Sequence, residues 1–116
     1  MQLAQQSDTD IFAVANPIMD NLMAASTAID YERHVRDFTA RAKSTLPQNL
    51  FQTICQEYQS SKGFFAQREP VAIFRRPDSI AIVWKQTFTR QPGEFVAELV
   101  LVQQEDRILV DHAMVF

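Results

Sequence analysis

The stretch LFQTICQEYQSSKGFFAQREPVAIFRR, residues 50–76, decides the fold. Up to Ser61 its apolar residues Leu50, Phe51, Ile54, Cys55 and Tyr58 recur three or four apart, which is helical spacing. Beyond Gly63 the apolar period drops to two, the spacing of a strand. Gly63 is one of only two glycines in 116 residues, and it stands where a helix would need a left-handed C-terminal cap. The chain therefore reads as helices first and a sheet second.

Upstream, Pro47 opens the helix that Gly63 closes, with Thr45 or Leu46 just outside it. A shorter helix runs from a cap at Asp30 through Phe38 and turns Tyr31, Val35 and Phe38 inward. Its Arg33, Arg36 and Arg41 form a solvated side that also exposes His34, and Glu32–Arg36 and Arg33–Asp37 can pair along it. In the first helix Ile18, Met19, Leu22, Met23 and Ala25 form one stripe, which Ile11, Phe12 and Ala15 extend backward. Asn16-Pro17 offers one start for this helix, a cap residue before a proline, and the backward stripe offers another near Thr9 with a kink at Pro17; the end is expected near Asp30. Residues 1–8 read as a flexible N-terminus and residues 9–116 as a single domain.

Downstream, strands are expected near 67–76, 79–90, 94–104 and 107–115, broken at Pro77-Asp78, Pro92-Gly93 and Glu105-Asp106. Pro92-Gly93 suits the centre of a type II turn. With two-residue loops throughout, opposed residues and faces follow. A bulky face holds Val71, Ile73, Ile80, Ile82, Trp84, Phe88, Phe95, Ala97, Leu99, Leu101, Ile108, Val110, Met114 and Phe116, and packs on the helices. The other face holds Ala72, Phe74, Ala81, Val83, Val96, Val100, Val102, Leu109, Ala113 and Val115, interrupted by Lys85, Thr87, Thr89, Glu98 and Asp111. The fold class is α+β, with N-terminal helices on a curved four-stranded antiparallel sheet.

Composition narrows the function. Hydrophobic residues make up 47% and the net charge is −3, with no clustered basic stripe for nucleic acid. One cysteine excludes an intrachain disulfide and a metal site built on cysteine pairs. Met1 to Asp10 is no signal peptide and no apolar run is long enough to span a membrane, so a cytoplasmic protein without cofactor or metal is expected.

Two surfaces carry the functional expectations. The valine-rich face, with Val83, Lys85, Val96, Glu98, Val100, Val102 and Asp111, reads as a homodimer interface. On the bulky face the same register aligns Glu69, Gln86, Leu99 and His112. Three polar groups in a row on an apolar wall call for mutual hydrogen bonds, water or a ligand. Tyr31 and Tyr58 can bring hydroxyls nearby, and Trp84, Phe88 and Met114 complete the pocket expected there. His112 is the candidate base, with Glu69 or Gln86 to orient it. Asp111, its neighbour in sequence, points to the opposite face. Cys55, on an apolar stripe with no histidine beside it, reads as a buried small hydrophobe.

This element order resembles the nuclear transport factor 2-like superfamily, the cystatin-like fold. The residues that carry the likeness are Asp30-Tyr31-Glu32 through Asp37-Phe38 between the helices, the Gly63 break, and the ending His112-Ala113-Met114-Val115-Phe116. The resemblance is to small bacterial members without assigned activity. It implies helices packed into a cone-shaped sheet, a mouth that holds a small apolar ligand, and dimerisation through the outer sheet face. No motif carries the catalytic residues of the superfamily's isomerases onto this chain. Two functions follow: a non-enzymatic module for a small apolar ligand or a protein partner, and a cofactor-free isomerase, dehydratase or polyketide cyclase using His112 with Glu69.

Overall fold

The computed structural model describes residues 2–116. A 3-10 turn, Leu3–Gln5, precedes four helices: α1 (Asp8–Ala28), α2 (Tyr31–Val35), α3 (Ala40–Ser44) and α4 (Gln48–Ser61). Four strands follow: β1 (Phe65–Arg75), β2 (Ser79–Phe88), β3 (Phe95–Gln104) and β4 (Arg107–Val115). They form one antiparallel sheet in chain order. Of the segment 1–8 read as flexible, Met1 lies outside the described residues, while Leu3 is buried against the core.

Ser7 caps α1, its hydroxyl accepting from the Asp10 amide at 3.1 Å. The helix continues through Pro17 to a left-handed Ile29. Asp30 caps α2 as expected, and Thr39 caps α3, a helix the apolar spacing does not announce. The core forms where Ile11, Ala15, Met19 and Leu22 of α1 meet Ile80, Ile82, Trp84, Ala97, Leu99, Leu101 and Val110 of the sheet. Fully burying an aliphatic side chain of this size is worth about 1.5–3 kcal/mol, so this layer dominates the stability.

The inner faces of β2 and β3 are those expected, although the pairing is displaced. Gln86 opposes Phe95 rather than Leu99, because the β2–β3 connection spans residues 89–94 instead of a two-residue turn. A displacement of four residues is even and leaves every side chain on its face.

The outer strands differ. In β4 an irregularity falls between the pairs Leu101↔Val110 and Val100↔His112, so Asp111 is an extra residue. Beyond it Ala113 and Val115 pack toward the core, and His112 and Met114 turn to the outer face. In β1 a second irregularity, between Pro70 and Ala72, leaves Val71 62% exposed and pairs Glu69 with Lys85 on the outer face. The expected inner row of Glu69, Gln86, Leu99 and His112 is therefore not formed. One inserted residue reverses all side chains beyond it.

Gly63 performs the role read from the sequence. Its φ of +87° is left-handed, and an added Cβ would lie 2.3 Å from Thr89 Oγ1 and 3.1 Å from the Arg90 amide nitrogen. The amides of Arg90 and Gln91 donate to the Lys62 carbonyl at 3.1 and 3.2 Å. The Arg90 guanidinium donates to the last-turn carbonyls of Gln59 and Ser60, a cation at the negative end of the helix. Left-handed strain alone costs about 1–3 kcal/mol for a non-glycine residue. Gly63→Ala is expected to lower the unfolding free energy in urea by at least about 2 kcal/mol. Gly93→Ala, whose Cβ would meet only Phe95 Cε2 at 3.7 Å, should cost less; equal losses would contradict the close approach.

Candidate functional site

A cavity of about 620 Å³ opens between the helices and the β4 side of the sheet. Its floor is Met19, Leu22, Met23 and Ser26 of α1, with Phe65, Phe88 and Phe95 at one end. One wall is Leu46, just before α4, and a line of residues four apart along the helix to its C-cap, Leu50, Ile54, Tyr58 and Lys62. The opposite wall is Asp111 through Val115 of the final strand with Phe116 after it, six residues in succession. Leu50, Ile54, Met114 and Phe116 are between 42% and 58% exposed, so the mouth is apolar.

Two lines of α4 divide the labour. Phe51 and Cys55 are buried, at 2% and 1% exposure. Phe51 packs on Tyr31 and His34, with ring centroids 5.7 and 4.7 Å apart. Cys55 meets Ser26, whose hydroxyl lies 3.3 Å from the thiol and 2.7 Å from the Tyr58 hydroxyl. Burial pushes the Cys55 thiol up, against the smaller pull of Ser26, so this sulfur is a poor nucleophile. Gln59 completes the joint, donating to the Ser26 carbonyl at 3.2 Å.

Several polar side chains also reach the cavity. Asp111 accepts from Thr39 Oγ1 at 2.8 Å and from the Arg41 guanidinium, and the hydrogen bond from Arg41 holds its carboxyl below the usual range. Lys62 lies 5.9 Å from the centroid of Phe95. His34, expected on a solvated face, instead packs its ring between Phe38 and Phe51. It lines both this cavity and a smaller one of about 190 Å³. Its Nδ1 is buried without a hydrogen-bond partner among the described residues, and burial lowers its pKa from 6.5 to about 4.

Of the pocket residues expected from the sequence, Tyr58, Phe88, His112 and Met114 border the cavity. Tyr31 instead donates its hydroxyl to the Leu46 carbonyl at 2.8 Å, which fixes the start of α4. Trp84 is core, its indole N–H donating to Asn16 at 2.9 Å, and Leu99 is core beside it. Gln86 is fully buried, with Nε2 donating to the Thr87 carbonyl and Oε1 unpaired among the described residues. Glu69 sits 3.4 Å from Lys85. His112 Nε2 lies 2.7 Å from Glu98 Oε1, so its ring is engaged on the outer face. Glu69 and His112 stand on β1 and β4, the two edges of the sheet, and the structure does not bring them together.

Arg68 takes the inner position that Glu69 was expected to hold. Its side chain, 13% exposed, stacks 5.3 Å from the Trp84 ring and pairs with Asp20 at 2.5 Å. No sequence period points to it, because it depends on the β1 irregularities. Among the described residues no group of three or more His, Cys, Asp or Glu side chains is placed to hold a metal ion. No helix among them is long and apolar enough to cross a membrane.

No family model and no curated protein matches the sequence. Solved structures do resemble the fold. A SEC-C motif containing protein from Rhodopseudomonas palustris aligns with a TM-score of 0.59 at 10% identity, over 84% of this chain and 74% of that one. A chain named for the calcium/calmodulin-dependent protein kinase type II association domain, from Thiobacillus denitrificans, gives 0.59 at 12% identity, over 84% and 90%. Bd1075 from Bdellovibrio bacteriovorus gives 0.55 at 8% identity, over 96% of this chain but only 44% of its own length. At these identities the likeness is one of fold: an α+β domain shared with bacterial proteins.

The half-buried imidazole has a measurable signature. Between pH 6.5 and about 4 the unfolded chain protonates His34 and the folded chain does not. Its contribution is therefore complete above pH 6.5 and is lost as the pH falls toward 4. The melting temperature of the wild type is expected to fall more steeply over this window than that of His34→Phe. Parallel pH profiles would assign the slope to other groups.

Proposed function

We propose that this chain is a non-enzymatic binding module of the nuclear transport factor 2-like superfamily, which takes an apolar guest into the cavity between α4 and β4. The observation that carries this reading is the cavity: about 620 Å³, open, and apolar at its mouth. Cavities of a few hundred to about 1,000 Å³ with few convergent polar groups are typical ligand sites. Several of its polar groups are engaged with one another or with neighbours: Ser26 and Tyr58 bond each other, Asp111 is taken up by Thr39 and Arg41, and His112 lies 2.7 Å from Glu98. None makes a nucleophile–base pair of the kind covalent catalysis uses.

The module acts as a homodimer through the outer sheet face in this proposal, with the cytoplasm as its setting. Val83, Val96, Val100 and Val102 are partly exposed on that face. Lys85, 2.8 Å from Glu94, and Glu98, bonded to His112, border them with paired charges. An apolar centre rimmed by satisfied polar groups is the usual anatomy of a self-complementary interface.

Both parts have direct tests. An anilinonaphthalene sulfonate reporter is expected to fluoresce in the cavity, and Ile54→Arg to weaken its binding about tenfold with the melting temperature unchanged. Indifference to Ile54→Arg would remove the cavity from the function. Sedimentation at micromolar concentration should give twice the 13.3 kDa chain mass, reverting to one chain in Val100→Glu. A wild type that sediments as a single chain ends the dimer proposal.

A further inference from the structure

We propose that the open half of the β4 edge receives an extended segment of a partner polypeptide. The segment pairs with the main chain of Ala113 and Val115 as a fifth strand and sends alternate apolar side chains into the cavity. This deepens the reading of the cavity as a binding site and rests on it.

The main chain supplies the first ground. β4 is the last strand of the sheet. Phe116 and Val96 exchange both hydrogen bonds, at 2.6 and 2.9 Å. Alternation then turns the N–H and C=O groups of Ala113 and Val115 away from β3, toward the cavity side. The lining pattern agrees: a strand that borders a space with its face contributes every second residue, whereas Asp111 through Phe116 contribute in succession. The cavity therefore runs along an edge.

The chain already uses this edge once. The Val110 amide donates to the Asp37 carbonyl at 2.8 Å and the Thr39 amide to the Val110 carbonyl at 2.9 Å, which makes Phe38 a one-residue parallel bridge. The pairing stops at Thr39, where the chain turns away into α3. Arg41 then donates to the Asp111 carbonyl at 3.2 Å, and beyond it the edge is free among the described residues.

The opposite wall fits an extended occupant. From Leu50 to Lys62 the α4 line spans roughly 18 Å, the length of roughly five extended residues. Leu50 and Ile54 face the space half-exposed. Lys62, at one end, makes no salt bridge among the described residues, so an acidic side chain of the segment would complement it. A lipid-like guest would cover the apolar wall but leave the N–H and C=O groups of Ala113 and Val115 without partners. The occupant that satisfies both walls is a peptide with apolar residues at alternate positions and an acidic residue near Lys62.

A displayed library of random dodecapeptides, selected on the full chain, tests this. Enriched peptides should share apolar residues two apart. The tightest, synthesised with fluorescein, should lose at least tenfold in affinity when N-methylated at alternate amides, and little when methylated at the intervening ones. Ala113→Pro removes an edge-facing N–H without touching the β3 pairing and should weaken the same peptide about tenfold. Should that variant fold poorly, Ile54→Glu provides the second measurement, and slowed exchange of the Ala113 and Val115 amides in bound wild type the third. No enrichment, helical spacing in the enriched peptides, or indifference to N-methylation would overturn the proposal. The anilinonaphthalene sulfonate reporter separates the two failures: if it still binds and responds to Ile54→Arg, the cavity reading stands and only the strand addition falls.

Discussion

The site depends on how one carboxylate is held. Asp111 is inserted into β4 as an unpaired residue, and Thr39 and Arg41 hold its side chain. The main-chain bonds of Val110 to Asp37 and Thr39 fix the strand just before it. These contacts set the phase of the final strand. Beyond the insertion Ala113 and Val115 face the core, His112 and Met114 face outward, and the edge is aligned with the cavity. The same contacts dock the α2–α3 segment on the sheet, so one pin settles both the last strand's register and the position of a cavity wall.

Local chemistry explains which parts of this were legible in the sequence. Gly63 is legible because both its neighbourhood and its backbone demand it: the period changes there, and a side chain would strike Thr89. The inner faces of β2 and β3 survive a wrong loop length because Ile80, Ile82, Trp84, Ala97, Leu99 and Leu101 alternate strictly and the displacement is even. The edge strands do not survive. An insertion is visible only through what holds it, and the partners of Asp111 lie 72 and 70 residues away in the chain. Val71 and Glu69 similarly exchange faces through a bulge that a Glu-Pro-Val sequence does not mark. The polar row that made Glu69 and His112 look adjacent was a product of that hidden phase.

Helix α4 was legible as a helix but not in its division of labour. Its apolar residues read as one stripe, whereas they form two neighbouring lines. Phe51 and Cys55 are sunk against Tyr31, His34 and Ser26, and Leu50 and Ile54 stand half-exposed beside them. The difference lies in the aromatic cluster beneath. His34, packed between Phe38 and Phe51, props the helices at this end and accepts a depressed pKa and an Nδ1 unpaired among the described residues as the cost of that position.

The propped arrangement bears on function through the surface it leaves uncovered. Four large apolar side chains, Leu50, Ile54, Met114 and Phe116, remain about half-exposed around one opening. Completing the burial of each would be worth roughly 1 kcal/mol, half the usual value for such a side chain. A closer approach of α4 to β4 would recover this free energy, but the Ser26–Tyr58–Gln59 joint and the Phe51 cluster hold the helix by its other side. The gap is thus stabilised by contacts that do not line its mouth. An occupant would gain several kcal/mol of apolar burial without having to rearrange the scaffold, and that is the energetic condition a preformed binding site would need.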